Sequence, residues 1–541
     1  MQAFDVLVIG GGASGLRAAI AAKRAGTSVG LITKVHPLRT NSGLAQGGLN
    51  APLGKDDSAE KFAEDTLAAG DDLCERDIVR AFALEASREV IWLEHVGVPF
   101  NRSAEGRIDL RQFGSNSLSR TGYTDDRTGH IVLQVLHEQF ERLQIPSFEE
   151  WFVTSLAVDG SACVGVAALG LRSGKLEPFT ARAVILATGG FSRMYLPSTV
   201  SLGTTGDGQN LAFTAGAKLM DMEMIQFHPT VFPKGQGLLI SEATLREGAE
   251  IINEKGEPVL ESKALTREKI CLAMRQATQN GGGALSLDLR RIGKEKLASR
   301  FPQTLELAKT VAGIDVTKEP IPIRPVAHRP MGGIETDADG ATSVPGMFAV
   351  GECACSGLNG AGRLAGNTLT EALVFGRKVG ETAARHAKGA PVKGFPGSKL
   401  SDEEKRLAAL TSGNFSGDSA GKIHSELGQL MNDKVGLVRD GAGLREALER
   451  IQSLKERHRK IKLSNSSRIY NYALTSALEL GSMLNLAEAV ALAAQARSES
   501  RGAHRRADFP ERDDQNWRCH TVVSLAQGSP QVEKKPVAGG A

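Results

Sequence analysis

The alternation of apolar and polar positions starts cleanly. Asp5–Ile9 (DVLVI) is a short apolar run with β-branched residues and predicts a buried parallel strand. Gly10, Gly11, Gly12, Ala13, Ser14 and Gly15 follow at once. Leu16–Ala25 is Ala-rich, ends in Lys23 and Arg24, and meets Gly26 as a stop, which predicts a helix. Ser28–Thr33 is the next strand. The unit is strand, glycine loop, helix, strand, and its GxGxxG spacing lets backbone N–H groups approach a pyrophosphate at a helix N-terminus. The second strand ends in Thr33-Lys34, with no acidic residue to hold a ribose 2′-hydroxyl, which weakens NAD and leaves FAD open.

Two later segments repeat the pattern. Ala183–Gly190 (AVILATGG) and Gly346–Glu352 (GMFAVGE) are apolar strands running into glycine turns. Strand ends this far apart fit an extended dinucleotide lying across one cofactor domain that an insertion interrupts, and they favour FAD. From Ser401 the pattern turns helical, with a capping box at Ser401-Asp-Glu-Glu404 and stretches rich in Leu, Ala, Lys and Glu to about Ala496. After Gly528 few core-forming residues remain, and a disordered tail is expected.

Composition narrows the class. The 541 residues imply two to four domains, and 41% apolar with 23% charged residues is ordinary for a soluble globular protein. A net charge of +3 makes no case for a nucleic-acid partner. The six cysteines include no CxxC, so no iron–sulfur or zinc ligand set is expected and no metal is assigned; reduced thiols of a cytoplasmic protein are the reading. No basic segment precedes the first strand and no apolar run approaches a membrane span, so membrane association is expected only through a partner.

Several separate blocks carry a family resemblance. They are Arg39–Gly48 (RTNSGLAQGG), Phe227–Thr230 (FHPT), Arg324–Ile334 (RPVAHRPMGGI), Gly351 through Asn367, Ser500–His504 (SRGAH) and Glu511–Asp514 (ERDD). Together the chain resembles the flavoprotein subunit of fumarate reductase and succinate dehydrogenase, and more distantly L-aspartate oxidase. The resemblance implies an α/β fold: a Rossmann-like FAD-binding domain (1–218 and 345–390) interrupted by an α+β capping domain (219–344). A helical domain (395–500) and a small C-terminal region (501–541) follow.

It further implies hydride transfer from FAD to the double bond of a fumarate-like dicarboxylate. His328 and Arg363 would clamp one carboxylate, and His228 with Ser241 the other, since Arg offers a cationic fork and His a directed donor. Arg267 aligns with the family's proton-donating arginine and Glu242 with its relay glutamate. The next relay arginine falls one residue late, at Arg246, because Leu245 stands in its place. FAD contacts carry over to the Gly10–Gly15 loop, Thr33, Lys34, Arg39, Thr40, Asn41, Ser42, Gln46, Gly47, Gly48, Asp207, Glu352, Thr368 and Leu369. His36, His137 and His458 read as structural. An iron–sulfur or other electron-transfer subunit is the expected partner, with the chain cytoplasmic and peripheral on the inner face of the membrane through that complex.

The departures matter as much. Asn41 stands where membrane members carry the histidine joined covalently to the flavin, so FAD is expected to be non-covalent and the chain to reduce an alkene rather than oxidise an alkane. Asn359-Gly-Ala-Gly-Arg363 replaces the usual His-Gly-Ala-Asn-Arg, and Arg329-Pro330 replaces Tyr-Thr, adding a positive charge near the site. An L-aspartate oxidase is the enzymatic alternative, though Phe113 in Arg111–Gly114 follows the fumarate reductase pattern rather than supplying a glutamate. A flavin-bearing subunit without turnover is the alternative of another class.

Overall fold

The computed structural model describes residues 2–234, 237–262, 265–411, 417–463 and 465–538. Gln2–Ile9 pairs in parallel with Val29–Thr33 on one side and Leu176–Leu186 on the other. Ser147–Glu149 extends the first side, and Ala162–Gly170 and Trp151–Asp159 continue the second side antiparallel. Met347–Ala349 then joins Leu176–Leu186 in parallel, so the chain leaves this sheet after Leu186 and returns at Met347. The parallel strands are near-continuous hydrophobic runs because helices cover the sheet.

The glycine-loop helix, Ala13–Arg24, lies against Asn367–Gly389, more than 340 residues later. Gly380 permits this approach, since a Cβ there would stand 2.3 Å from the Ala18 carbonyl oxygen. Glu89 pins the pair from a third helix, Arg76–His95: it accepts from Arg17 Nε at 2.8 Å and from Arg377 Nε at 2.7 Å, all three side chains being largely buried.

The excursion between the two visits builds a separate antiparallel sheet. Its order is Leu238–Leu239, Ile225–Phe232, Ile321–Pro330, Leu285–Asp288, Glu250–Ile252. Ile270 and Met274 of helix Arg267–Ala277 pack into its own apolar core with Leu287, Ile321 and Ile323. That helix starts at Thr266, whose hydroxyl caps the Lys269 N–H, and this sets Arg267 in the first turn.

Four helices follow: Gly397–Leu410, Ala420–Lys434, Gly441–Arg459 and Tyr472–Ala496. The first begins directly after Pro396, so the expected capping box at Ser401 is corrected to an interior turn; Glu404 instead pairs with Arg468 at 2.7 Å. The expectation that no apolar run reaches a membrane span is also corrected. Among the described residues one helix, Tyr472–Ala496, is long and apolar enough, but 72% of its apolar window is buried inside the protein, as in the core helix of a globular fold.

The expected disordered tail is a third correction. Cys519–Ala526 and Ser529–Pro536 pair antiparallel over eight residues each. Gln527 and Gly528 have φ values of 52° and 81°, the left-handed turn that matches strand twist. Main-chain pairing, which a count of apolar residues cannot register, orders the segment. Residues 539–541 lie outside the described residues.

Candidate functional site

Both sheets and the N-terminus of helix Asn367–Gly389 meet around one cavity of about 730 Å³. Gly10, Gly11, Gly12 and Ser14 line one end; His228, Ser241, Glu242, Arg267, His328 and Arg363 line the other. At the glycine end the backbone itself is the wall. Gly10 has φ 112°, and a Cβ there would lie 2.3 Å from the Ala187 carbonyl oxygen. A Cβ on Gly15 would lie 1.9 Å from the Gly10 carbonyl oxygen, so this glycine serves helix–strand packing rather than the cavity surface. Ala13 is likewise behind the wall and donates its N–H to Ser42 Oγ at 3.1 Å.

The remaining residues expected to touch the cofactor, from Thr33 through Leu369, do line the cavity. Two of them engage each other: Lys34 Nζ is 2.6 Å from Asp207 Oδ2 and 2.7 Å from Glu479 Oε1. Burial opposes the Lys34 charge, but these carboxylates raise its pKa overall. Asn41 Oδ1 accepts the Ser201 N–H at 2.9 Å. The Gln46-Gly47 turn is held from behind by Arg111, which donates to the Gln46 carbonyl at 3.0 Å and whose pKa burial lowers to about 10. Phe113 lies against Gly47, where a Cβ would come within 2.3 Å of the ring.

This lining fits FAD. The glycine turn leaves room for a pyrophosphate, and Glu352 Oε1 and Gln46 Oε1 are buried acceptors with no partner among the described residues. Glu352 has its pKa raised by burial, as expected of an acid awaiting a polar group.

At the other end, two guanidinium groups converge on one amide. Gln226 Oε1 accepts from Arg267 Nη1 at 3.1 Å and from Arg363 Nη2 at 2.8 Å, while its Nε2 donates to Glu268 Oε1 at 2.8 Å. Arg267 Nε donates to Glu242 Oε2 at 2.5 Å, and His228 Nε2 stands 3.5 Å from the same oxygen. His328 Nδ1 is 2.6 Å from Thr199 Oγ1, and the His228 and His328 rings lie edge to face at 5.0 Å. Burial, then Arg267, drives both imidazoles well below their usual pKa, so they are neutral near pH 7. Burial, then Arg267 and Arg329, pushes Arg363 well below the usual guanidinium range.

Arg246 lies outside this cluster. It donates Nε to the Gly114 carbonyl at 2.8 Å, while Leu245 fills the core. Arg329 is not a loose charge: Nη2 pairs with Glu371 Oε2 at 2.8 Å, and Asn359 Nδ2 reaches the same oxygen at 3.2 Å. The positive charge expected of Arg329 near the site is thus paired with a carboxylate. His36 and His137 stack on each other at 5.1 Å, outside the cavity lining, and His458 Nε2 bonds the Ala477 carbonyl. Gln226, Thr199 and Glu371 escaped sequence reasoning. Only Gln226 had a signal, standing two residues before His228 on one strand.

Comparison with known proteins agrees with this geometry. Residues 5–369 match the FAD binding domain family and residues 424–540 the fumarate reductase flavoprotein C-terminal family. The chain is 38% identical to the fumarate reductase flavoprotein subunit of Haemophilus influenzae, over 98% of this chain and 94% of that one. It is 35% identical to the succinate dehydrogenase flavoprotein subunit of Rickettsia conorii, over 99% and 95%. A solved Escherichia coli quinol fumarate reductase chain superposes with a TM-score of 0.96 at 37% identity, covering 99% of this chain and 97% of that chain. A glycine cradle for FAD opening onto buried arginines and neutral histidines, with likeness along nearly the whole chain, shows that this protein belongs to the fumarate reductase and succinate dehydrogenase flavoprotein family.

Proposed function

We propose that this FAD-dependent oxidoreductase reduces the double bond of a small unsaturated dicarboxylate and holds its flavin by contacts alone. One observation carries the reading. Arg267 and Arg329 each have a carboxylate partner, in Glu242 and Glu371. Arg363 has a neutral amide, and its Nε is buried without a partner among the described residues. A buried cation in that condition calls for an anionic ligand.

His328 and Arg363 would hold one carboxylate, with Thr199 fixing the imidazole, and His228 and the Ser241 hydroxyl, which has no partner among the described residues, would hold the other. Bound FAD supplies the hydride. Arg267 gives the proton to the second carbon. An arginine ordinarily stays protonated, so the donor must be recharged where it stands, and Glu242 Oε2 against Arg267 Nε is the group to do it. Gln226 keeps the Arg267 fork aimed. Arg246, bonded to Gly114, is left out of that relay, which ends at Glu242 on this side.

Asn41 supports non-covalent FAD, since its side chain cannot form the family's bond and is engaged by Ser201. That favours reduction over oxidation. The segment 219–344 is the cap. An electron-transfer subunit, iron–sulfur in the family pattern, is the partner, and it would hold the chain at the inner face of the membrane. Relatives named as flavoprotein subunits support this reading. The test is reoxidation of the reduced flavin by fumarate, methylated fumarates and aromatic acrylates. Fumarate-like dicarboxylates should reoxidise it fastest and leave a colourless acid precipitate. Hydrogen peroxide from L-aspartate with no alkene turnover would overturn the reading.

A further inference from the structure

Arg329 and His328 are neighbours on strand Ile321–Pro330 where its pairing with Ile225–Phe232 slips by one residue, Gln226 standing opposite Arg329 and Phe227 opposite Ala327, so His328 is the extra residue of a bulge, and both side chains line the cavity. His328 faces the cluster with Arg267 and Arg363, whereas Arg329 reaches the first turn of helix Asn367–Gly389, donating Nη1 to Thr368 Oγ1 at 2.6 Å. The partner of Arg329, Glu371, sits one turn further along that helix and does not line the cavity. The ion pair is thus a fixed dipole with its positive end on the cavity side. Asn359 Nδ2 at 3.2 Å from Glu371 Oε2 and Thr368 at the other fork hold it in place. Arg329 Nε is buried and has no partner among the described residues, which leaves a donor for a bound group.

The pyrophosphate belongs at the Gly10–Gly12 end, so the ring that exchanges hydride belongs at the end where His328 and Arg363 converge. Arg329 borders that end, and the helix N-terminus beside it adds positive potential of its own. Two-electron reduction with uptake of one proton leaves the flavin ring one unit more negative than before. A cationic edge in a buried site lowers the free energy of that added charge. We propose that the Arg329–Glu371 pair sets the reduction potential of the bound flavin, holding it up where no covalent bond does so. The proposal rests on the non-covalent FAD reading above.

The test is the flavin midpoint potential of the purified holoprotein, measured by reductive titration against a reference dye, for Arg329→Gln, Arg329→Lys and Glu371→Gln. Arg329→Gln should shift the oxidised-to-reduced ratio at a fixed potential at least tenfold toward oxidised FAD, about 30 mV for a two-electron couple. Glu371→Gln, which removes the negative end, should shift it the other way. Arg329→Lys should fall between wild type and Arg329→Gln. Unchanged potentials in Arg329→Gln and Glu371→Gln would overturn the proposal. If Arg329→Gln does not retain flavin, an unmoved Glu371→Gln potential alone overturns it. A coloured acid precipitate of the wild type would instead refute the non-covalent reading on which it stands.

Discussion

The two ends of the cavity are built from different materials. At the glycine end the surface is backbone, shaped by positions where no side chain fits, such as Gly10 with φ 112°. At the cluster end the surface is charge, with Arg267, Arg363, Glu242 and the neutral His228 buried together and the neutral His328 half-buried beside them. The first end is specified by six contiguous residues. The second is assembled from strands Ile225–Phe232 and Ile321–Pro330, helix Arg267–Ala277 and the Asn359–Arg363 turn. Steric exclusion at the glycine loop does not depend on pH, while packed charge gives a reactive site that does.

Breaking the charged end costs most. Arg267→Ala should lower the turnover number about 10²–10⁴-fold, the range of a lost general acid, while visible flavin absorbance stays that of the wild type. If flavin is lost along with activity, the two ends are not separable. Breaking the steric end should do the converse. Gly15→Ala places a methyl 1.9 Å from the Gly10 carbonyl oxygen. Overpacking of this kind costs about 1–3 kcal/mol, so FAD affinity read by fluorescence should fall roughly 5- to 150-fold, with turnover per bound flavin retained.

The smallest effect separates the ends by pH. His228 and His328 have folded-state pKa values well below 6.5. Their unfolded forms take up protons first, so the stability they contribute is present above about pH 6.5 and lost as pH falls below it. The loss is about 1 kcal/mol per imidazole one pH unit down. Urea midpoints of the ligand-free protein between pH 7.5 and 5.5 should show this slope. A double His228→Gln, His328→Gln variant should flatten it.

The same contrast explains what the sequence could reveal. The glycine loop is legible because its conformational demands fall on neighbouring residues between a strand and a helix. The cluster is legible only block by block. Arg329 and Asn359 read as two unrelated departures, yet they meet at one atom, Glu371 Oε2, through a fold that brings segments 30 residues apart together. Gln226 joins Arg267 to Arg363 across 41 and 137 residues, a relation no local pattern encodes. The C-terminal hairpin is illegible for another reason, since its order comes from backbone pairing and a two-residue turn rather than from apolar side chains.

The late return of Met347–Ala349 to the first sheet bears on how the protein comes into being. The glycine loop leaves the ribosome well before the wall opposite it, from Glu352 to Ala372, which is made more than 330 residues later. At translation rates of about 5–20 residues per second that is an interval of roughly 17–70 s. Throughout it, a nascent chain carries an open half-site and an unpaired strand edge. The cofactor site is therefore complete only late in synthesis, and until then the half-built sheet is exposed to misassociation.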